Sequence, residues 1–466
     1  MKTGHSLAAF RKRLAANRVA GQVGWVVSTF GINQVLRLGT NVVLAWLLSP
    51  VIFGVLTLVN TLRTGVELIT DVGVGQNIVV AKAGDEPSFI GTAWTIQVIR
   101  GVGLFALGLL AAWPIAWWYD NPALFPIFAV ASVIFLLTGI NSPARFLMQR
   151  HRETRRLALF DLAMAFATAA LSILFALLVP TVWGMIWSMI AYSVVATVAG
   201  FFMMDARILR LRIDPAHAAT VFAFGKWIFI SSLVYFVATN FDRLYLPGQL
   251  GLALFGVYGI ARTISDAVTL LVQRLGAMII FPAIAEVSEA IGSRLHRIAR
   301  LRGLGLAALT VSIAGTVAIG DAFIAIAYDD RYSAAQVILP MLVAGTWFSA
   351  QAAMGEAILL GLSAPARAAA GNAAKLAWIV LLLPLAFTRF GLVAGIAVIA
   401  FADLPRYLML QLGQMRAGLN FWRQDAVLLA LGVAACVGVR LALVALGIVD
   451  GFVSSDQLAQ LSVLSR

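Results

Sequence analysis

Apolar residues run along this chain in long blocks separated by short polar segments. The blocks show neither the alternation of a half-buried strand nor the narrow stripe of a soluble amphipathic helix. A helix needs about 20 apolar residues to cross the hydrocarbon core of a bilayer. Thirteen blocks reach that length: 21–48, 53–78, 89–116, 123–142, 157–179, 182–204, 221–245, 252–281, 303–327, 335–360, 371–388, 391–412 and 426–448. The pair at 371–388 and 391–412 is joined by a very tight turn, "PLAFTRFGL". The pattern predicts an all-α polytopic membrane protein with about 13 transmembrane helices.

An internal repeat organises these spans. Residues 48–62, "LSPVIFGVLTLVNTL", align without gaps to 250–264, "LGLALFGVYGIARTI", with five identities in fifteen at an offset of 202. Both stretches open the second span of a run of six. Six spans return the chain to its starting side, so the repeats are expected to be parallel. The predicted organisation is a basic amphipathic segment at 1–20, a six-helix lobe at 21–204, a second at 221–412, an additional helix at 426–448 and a tail at 449–466. That is two parallel six-helix bundles plus one C-terminal helix.

Composition agrees with lipid as the main solvent: 61% of the 466 residues are hydrophobic and 12% are charged. The net charge of +13 could suggest nucleic acid, but its placement argues otherwise. With the N-terminus inside, cytoplasmic segments carry 21 Lys and Arg and the opposite side 3, the positive-inside asymmetry of a membrane protein. The first apolar block is of full spanning length and reads as an uncleaved span. A single cysteine, Cys436, excludes a disulfide framework. The four histidines fall in polar segments, so no metal site is expected, and "FGKW" at 224–227 lacks the spacing of a phosphate loop. No cofactor is expected.

The charges inside the spans change the picture most. Ten basic residues and seven acids lie there, where an unpaired charge costs several kcal/mol (about 2.5–3.5). Arg63 and Glu67 stand four apart on one face of the second span, and Arg262 and Asp266 repeat that spacing on the eighth. Arg37 and Arg100 add positive charge on the first and third spans, with snorkelling to an interface as the alternative for Arg37. Asp71, Asp242, Glu356 and Asp403 are further intramembrane carboxylates.

Three motifs carry a family resemblance. "SP-x-x-F-G" opens the second helix at Ser49–Gly54, "D-x-G-x-G" closes it at Asp71–Gly75, and "N-x-D-R" ends the seventh at Asn240–Arg243. In order and spacing these resemble a Wzx-type polysaccharide flippase, of the multidrug/oligosaccharidyl-lipid/polysaccharide exporter superfamily. The resemblance covers about 400 residues, through the twelfth helix; Arg100 and the thirteenth span match no pattern of the family. It implies two six-helix lobes around a cavity that opens alternately to each side of a bacterial inner membrane. The implied substrate is undecaprenyl-diphosphate carrying an oligosaccharide, moved without ATP and coupled to a proton or sodium gradient or to substrate supply. A polysaccharide polymerase is the expected partner in the same pathway, and no nucleic acid is.

Set beside that resemblance, Arg37, Arg63, Arg100 and Arg262 are candidates to bind the diphosphate, because planar guanidinium matches phosphate oxygens in pairs. The alternative is that each arginine neutralises a neighbouring acid and locks a helix interface. Glu67, Asp71, Asp242, Asp266 and Glu356 are candidates for ion pairs or for coupling, since a carboxyl half-buried in apolar surroundings titrates nearer the working pH. Two other functions fit part of the pattern. A multidrug or small-cation antiporter of the same superfamily would favour acids over bases in its cavity. A membrane-embedded polysaccharide polymerase or glycosyltransferase would need a large outer loop or a soluble domain, which the segments between spans do not supply. The expectation is therefore a carrier and not an enzyme.

Overall fold

A computed structural model describes Trp25 and residues 28–447, apart from 72, 205–208, 276–290 and 362–363. The expected basic segment at 1–20 and the tail at 449–466 lie outside the described residues, as do the side chains of Lys226 and Arg274. Every regular element among the described residues is helical. In chain order they are α1 (28–47), α2 (Pro50–Ile69), α3 (Val74–Val80), α4 (Pro87–Trp118), α5 (Leu124–Ala131), α6 (Val133–Ile140), α7 (Ala144–Arg150) and α8 (Thr154–Leu178). They continue as α9 (Val182–Phe202), α10 (Pro215–Tyr245), α11 (Pro247–Leu275), α12 (Ile291–Ala327), α13 (Ala335–Gly361), α14 (Pro365–Ala400), α15 (Asp403–Met415) and α16 (Trp422–Ala445). Among the described residues, eight helices are long and apolar enough to cross a membrane, or up to ten if each of two bent pairs is one span. One of the eight, Ala366–Met415, contains two of the spans expected from the sequence. The "PLAFTRFGL" turn is so tight that only Gly391 departs from helical geometry there, at φ 78°, a backbone region open to glycine.

The chain forms two compact units, residues 1–48 with 63–232 and residues 49–62 with 233–466. Their boundaries fall between α1 and α2 and inside α2 and α10, rather than in the polar segment that separates the expected lobes. In unit 1, α4 crosses α6 at two glycines. A Cβ on Gly101 would lie 2.6 Å from the Cα of Gly139, so only residues without side chains permit the approach. The expected continuous helix at 53–78 is broken: α2 ends at Ile69 and α3 begins at Val74, with Gly73 left-handed at φ 68°.

In unit 2 the sequence repeat becomes a reciprocal contact. A Cβ on Gly54 would run into the carbonyl of Leu252, and one on Gly256 into the carbonyl of Pro50. Gly54 and Gly256 are 202 positions apart, and so are Pro50 and Leu252. Two copies of the "FGV" turn therefore cross backbone to backbone, each contributing the glycine the other needs. Small residues at a crossing let membrane helices pack where lipid supplies no hydrophobic drive.

Unit 2 also includes the last helix, α16, which two ion pairs fasten to α12. Arg302 gives Asp425 a two-pronged bond, at 2.6 and 3.0 Å, and both side chains are only 1% exposed. Arg302 also donates to Gln351 and Gln424, stacks 4.6 Å over the Phe421 ring, and shares Asp425 with Tyr407 and Gln411. Counted by sequence among the loose cytoplasmic charges, Arg302 is instead the largest fully buried side chain among the described residues. Nearer the other end, Arg440 grips Asp321 at 2.7 and 2.6 Å and donates to the Ala318 carbonyl. Asp321 is an acid inside the span at 303–327, beyond the seven counted from the sequence.

Removing one partner of a buried pair leaves an uncompensated charge, which costs about 3–5 kcal/mol. Asp425→Ala should therefore sharply lower the amount of folded protein recovered by size-exclusion chromatography, and Asp321→Ala should lower it less, because Asp321 is 20% exposed. Equal and small effects would contradict the anchoring of α16.

Candidate functional site

The break in helix two creates the local problem that unit 1 is built to solve. The last carbonyls of an α-helix have no partner within it, and hydrocarbon offers no water to replace one. Arg100, on α4, supplies the partner for α2: its Nη2 donates to the Glu67 carbonyl, and its Nε and Nη2 each lie 3.2 Å from the Thr70 hydroxyl. Its Nη1 lies 3.9 Å from Asp71, whose Oδ1 in turn accepts from the Gly73 amide at 3.0 Å. Arg150, from α7, closes the end of α3 by donating to the carbonyls of Ile78, Val79 and Ala81 at 2.7–3.0 Å. Asp85 holds Arg150 in place at 2.7 Å. Bonds from Arg150 and His151 keep the Asp85 carboxyl below the usual carboxylate range. That contribution is present above the ordinary titration range and is lost only as pH falls through the lowered value.

A second break lies between α6 and α7, at Asn141–Pro143, where the chain bends by 45°. Here α4 again completes the backbone. Gln97 Nε2 lies within 3.2 Å of the carbonyls of Thr138, Gly139 and Asn141, and Trp94 donates to Ile140 at 3.1 Å. Asn141 is fixed from α9 by Thr197, at 2.7 Å.

Between these two breaks unit 1 forms a half-open cavity of about 760 Å³ with polar and apolar walls. Glu67, Asp71, Arg100, Arg145 and Asp161 bring charge to its wall, while Asn33, Gln76, Gln97, Asn141 and Ser142 bring amides and a hydroxyl. Tyr192, Phe135, Phe146 and Phe160 bring aromatic rings. Arg145 and Asp161 face each other as a fork, at 3.1 and 3.2 Å. The lining thus carries two guanidiniums and three carboxylates, so the wall expected to be cationic is close to charge-balanced.

The sequence-derived candidates divide between the units. In unit 1, Arg63 donates to Glu67 at 2.9 Å, Arg100 caps α2 as above, and Asp71 caps the turn. Arg37 is half-buried on α1, one helical turn beyond the lining residue Asn33. In unit 2, Arg262 lies 3.5 Å from Asp242 and 3.4 Å from Asp266, which also pairs with Arg243. Asp242 accepts from Tyr258 as well. Glu356 pairs with Arg406, and Asp403 pairs with Lys375 at 2.8 Å and Arg406 at 3.2 Å. Lys375 and Arg406 are only 13% exposed and turned onto these acids.

A family model described as "Polysaccharide biosynthesis protein" matches residues 43–337. The chain belongs to that family. It is 22% identical over 263 residues to the lipopolysaccharide biosynthesis protein WzxC of Escherichia coli (strain K12), covering 55% of this chain and 53% of that one. It is 22% identical over 288 residues to the teichuronic acid biosynthesis protein TuaB of Bacillus subtilis (strain 168), covering 59% and 57%. The chain thus spans little more than half the length of the curated relatives it matches. Among solved structures it is similar to the lipid II flippase MurJ in an inward closed conformation, with a TM-score of 0.69 at 11% identity over 95% of this chain and 96% of that one. It is also similar to an inward-facing multidrug resistance MATE family transporter of the MOP superfamily, with a TM-score of 0.60 at 13% identity over 83% and 94%. At those identities the likeness is one of fold. This family member is a multi-pass membrane protein, and its relatives are named for polysaccharide biosynthesis.

Sequence reasoning passed over Arg145, Asp161, Gln97, Asn141 and Tyr192. Arg145 reads as a loop charge, and its partner stands 16 residues on, across the turn from α7 to α8 that only the fold reveals. The usable signal was Gln97 and Asn141, amides within otherwise apolar spans, which need a partner there.

The geometry separates two arginines on one cavity wall. Arg100→Ala strips a helix end of charge-assisted bonds worth about 1.5–3 kcal/mol and should lower thermal stability accordingly. Arg145→Ala removes an exposed pair worth about 0–1 kcal/mol and should leave stability nearly unchanged. Thermal unfolding of the two variants in lipid-supplemented micelles checks this, and the reverse order would contradict the capping role of Arg100.

Proposed function

We propose that this protein flips undecaprenyl-diphosphate-linked oligosaccharide from the cytoplasmic to the outer leaflet of a bacterial inner membrane, by alternating access, in the synthesis of an O-antigen, exopolysaccharide or capsule. The observation that carries the reading is the polar cavity of unit 1, held among apolar helices of a polysaccharide biosynthesis family member. Amides and hydroxyls suit the hydrogen-bonding edges of sugars, and aromatic faces suit their apolar ones. The diphosphate would take guanidinium groups that are already partly engaged. Arg145 would exchange Asp161 for phosphate oxygens, and Arg100 and Arg63, with Arg37 a turn beyond Asn33, would add positive field. Competition from Asp161, Asp71 and Glu67 keeps binding weak enough for release, as a carrier requires.

Arg262 better fits the reading in which an arginine neutralises neighbouring acids and locks a helix interface. It sits between two carboxylates in a charge-balanced cluster of unit 2, so we assign it to holding α11 against α10. Among the carboxylates considered for proton or sodium coupling, Asp71 is the one we favour. Its nearest guanidinium is 3.9 Å away, whereas Asp403 is gripped at 2.8 Å. A polysaccharide polymerase would consume the units delivered outside.

A cation antiporter is the reading favoured by three carboxylates on the lining, and one experiment separates the two. Proteoliposomes holding a fluorescent lipid-diphosphate oligosaccharide should expose it to an external quencher without ATP, and faster under a proton or sodium gradient. Arg145→Ala should slow this about tenfold, the loss of about 1.4 kcal/mol, at unchanged protein content. Flipping that requires ATP, or transport of a lipophilic cation dye with none of the lipid, would refute the proposal.

A further inference from the structure

A second concave site lies where α7 gives way to α8, and it shares no lining residue with the large cavity. The chain closes α7 through Arg152, whose φ is 56°. Its amide donates to Gln149 and the next amide, Glu153, reaches back to Met148, the left-handed helix ending that glycine ordinarily provides. Asp120 is the other described residue with a side chain in that region, and aspartate is among the few types that adopt it readily. Arginine is not, so the backbone of this turn does not explain why an arginine stands there.

Its side chain does not explain it through the fold either. Arg152 is exposed, and among the described residues its guanidinium makes no hydrogen bond or ion pair. It opens instead on a pocket of about 440 Å³, shared with Arg155, Arg156, Thr154, Trp25 and Leu159. Arg155 lies 5.6 Å over the Trp25 ring. Arg156 is fixed by Glu153 at 3.2 Å and by the Met203 carbonyl at 3.1 Å. Glu153 is the lining's one acid, so three guanidiniums face it with a net charge of +2. On the other flank Trp25 and Leu159 are 43% and 46% exposed, and Phe166, two turns along the same face of α8, is 51% exposed. A cationic floor beside an apolar lip, with an indole between them, is the chemistry of a bilayer interface.

We propose that this pocket binds the phosphate headgroup of an anionic phospholipid, with the acyl chain lying along Leu159 and Phe166. The pocket faces the leaflet on the Arg-rich side of the membrane, the cytoplasmic one by the charge asymmetry. The site does not depend on what the protein transports. Arginine is retained at the left-handed position because its guanidinium completes the phosphate's shell, while Arg155 is held ready by the indole.

The turn provides a variant whose backbone conformation glycine favours. Arg152→Gly places the residue the backbone prefers, so stability in neutral lipid should be equal or higher. Purified full-length protein is melted in micelles with phosphatidylcholine and with phosphatidylglycerol. The wild type should melt higher with phosphatidylglycerol, Arg152→Gly should lose at least half of that gain, and adding Arg155→Gln should abolish it. A gain that Arg152→Gly keeps in full, or an Arg152→Gly protein that melts lower in phosphatidylcholine, would overturn the proposal. So would an equal Arg152-dependent gain from undecaprenyl diphosphate or from soluble pyrophosphate, which would make the pocket a loading site or a simple anion site.

Discussion

Hydrocarbon offers a broken helix no water, and unit 1 contains two helices that break within an apolar stretch. Each loose carbonyl there has to be met by a side chain, and α4 meets most of them. Arg100 closes α2, and Trp94 and Gln97, from the preceding two turns, close α6. Arg150 does the same for α3 from outside. Polar residues recruited for this purpose cannot also be apolar, so the space between the breaks is polar. The cavity is a consequence of repairing the backbone. The proposed binding of sugar and diphosphate makes use of a wall that the fold already requires.

Unit 2 faces the same cost of intramembrane charge and resolves it differently. Its cations turn onto carboxylates of neighbouring helices: Arg302 onto Asp425, Arg440 onto Asp321, Arg406 onto Glu356 and Lys375 onto Asp403. The charges are used up in joining α12 to α16 and α15 to α13 and α14. A buried pair contributes little net stability over a well-packed apolar one but penalises any arrangement that separates it. Such pairs therefore specify which helices meet. They also distinguish the roles of Arg63 and Arg262, which the repeat makes look alike. Arg63 finds its acid on its own helix beside the cavity, whereas Arg262 lies between acids from two helices.

What could be read from the sequence was what depends on near neighbours. Long apolar blocks predict spans because length alone matches the bilayer, and Arg63–Glu67 follows from helical spacing. The "FGV" repeat identified Gly54 and Gly256 as equivalent, and their reciprocal packing follows from that equivalence. The break at 70–73 was less legible, because "D-x-G" within an apolar run fits a continuous helix as well as a turn. Partners far apart in the chain could not be read at all. Arg302 and Asp425 are 123 residues apart, and Arg302 looks like a loop charge until α16 is placed against it. Arg145 and Asp161 are only 16 apart, yet the turn between α7 and α8 decides that they meet.

The central claim is that the unit 1 cavity is open to water and takes the polar part of the substrate. It is tested most directly with a membrane-impermeant thiol reagent on single-cysteine proteins, after Cys436→Ala removes the natural thiol. Thr138→Cys, on the lining, should be labelled in inner-membrane vesicles and protected by added lipid-diphosphate oligosaccharide, while Ser349→Cys, beside the Asp403 cluster, should not be labelled. Absence of labelling at position 138, or labelling that the substrate leaves unchanged, would contradict the account.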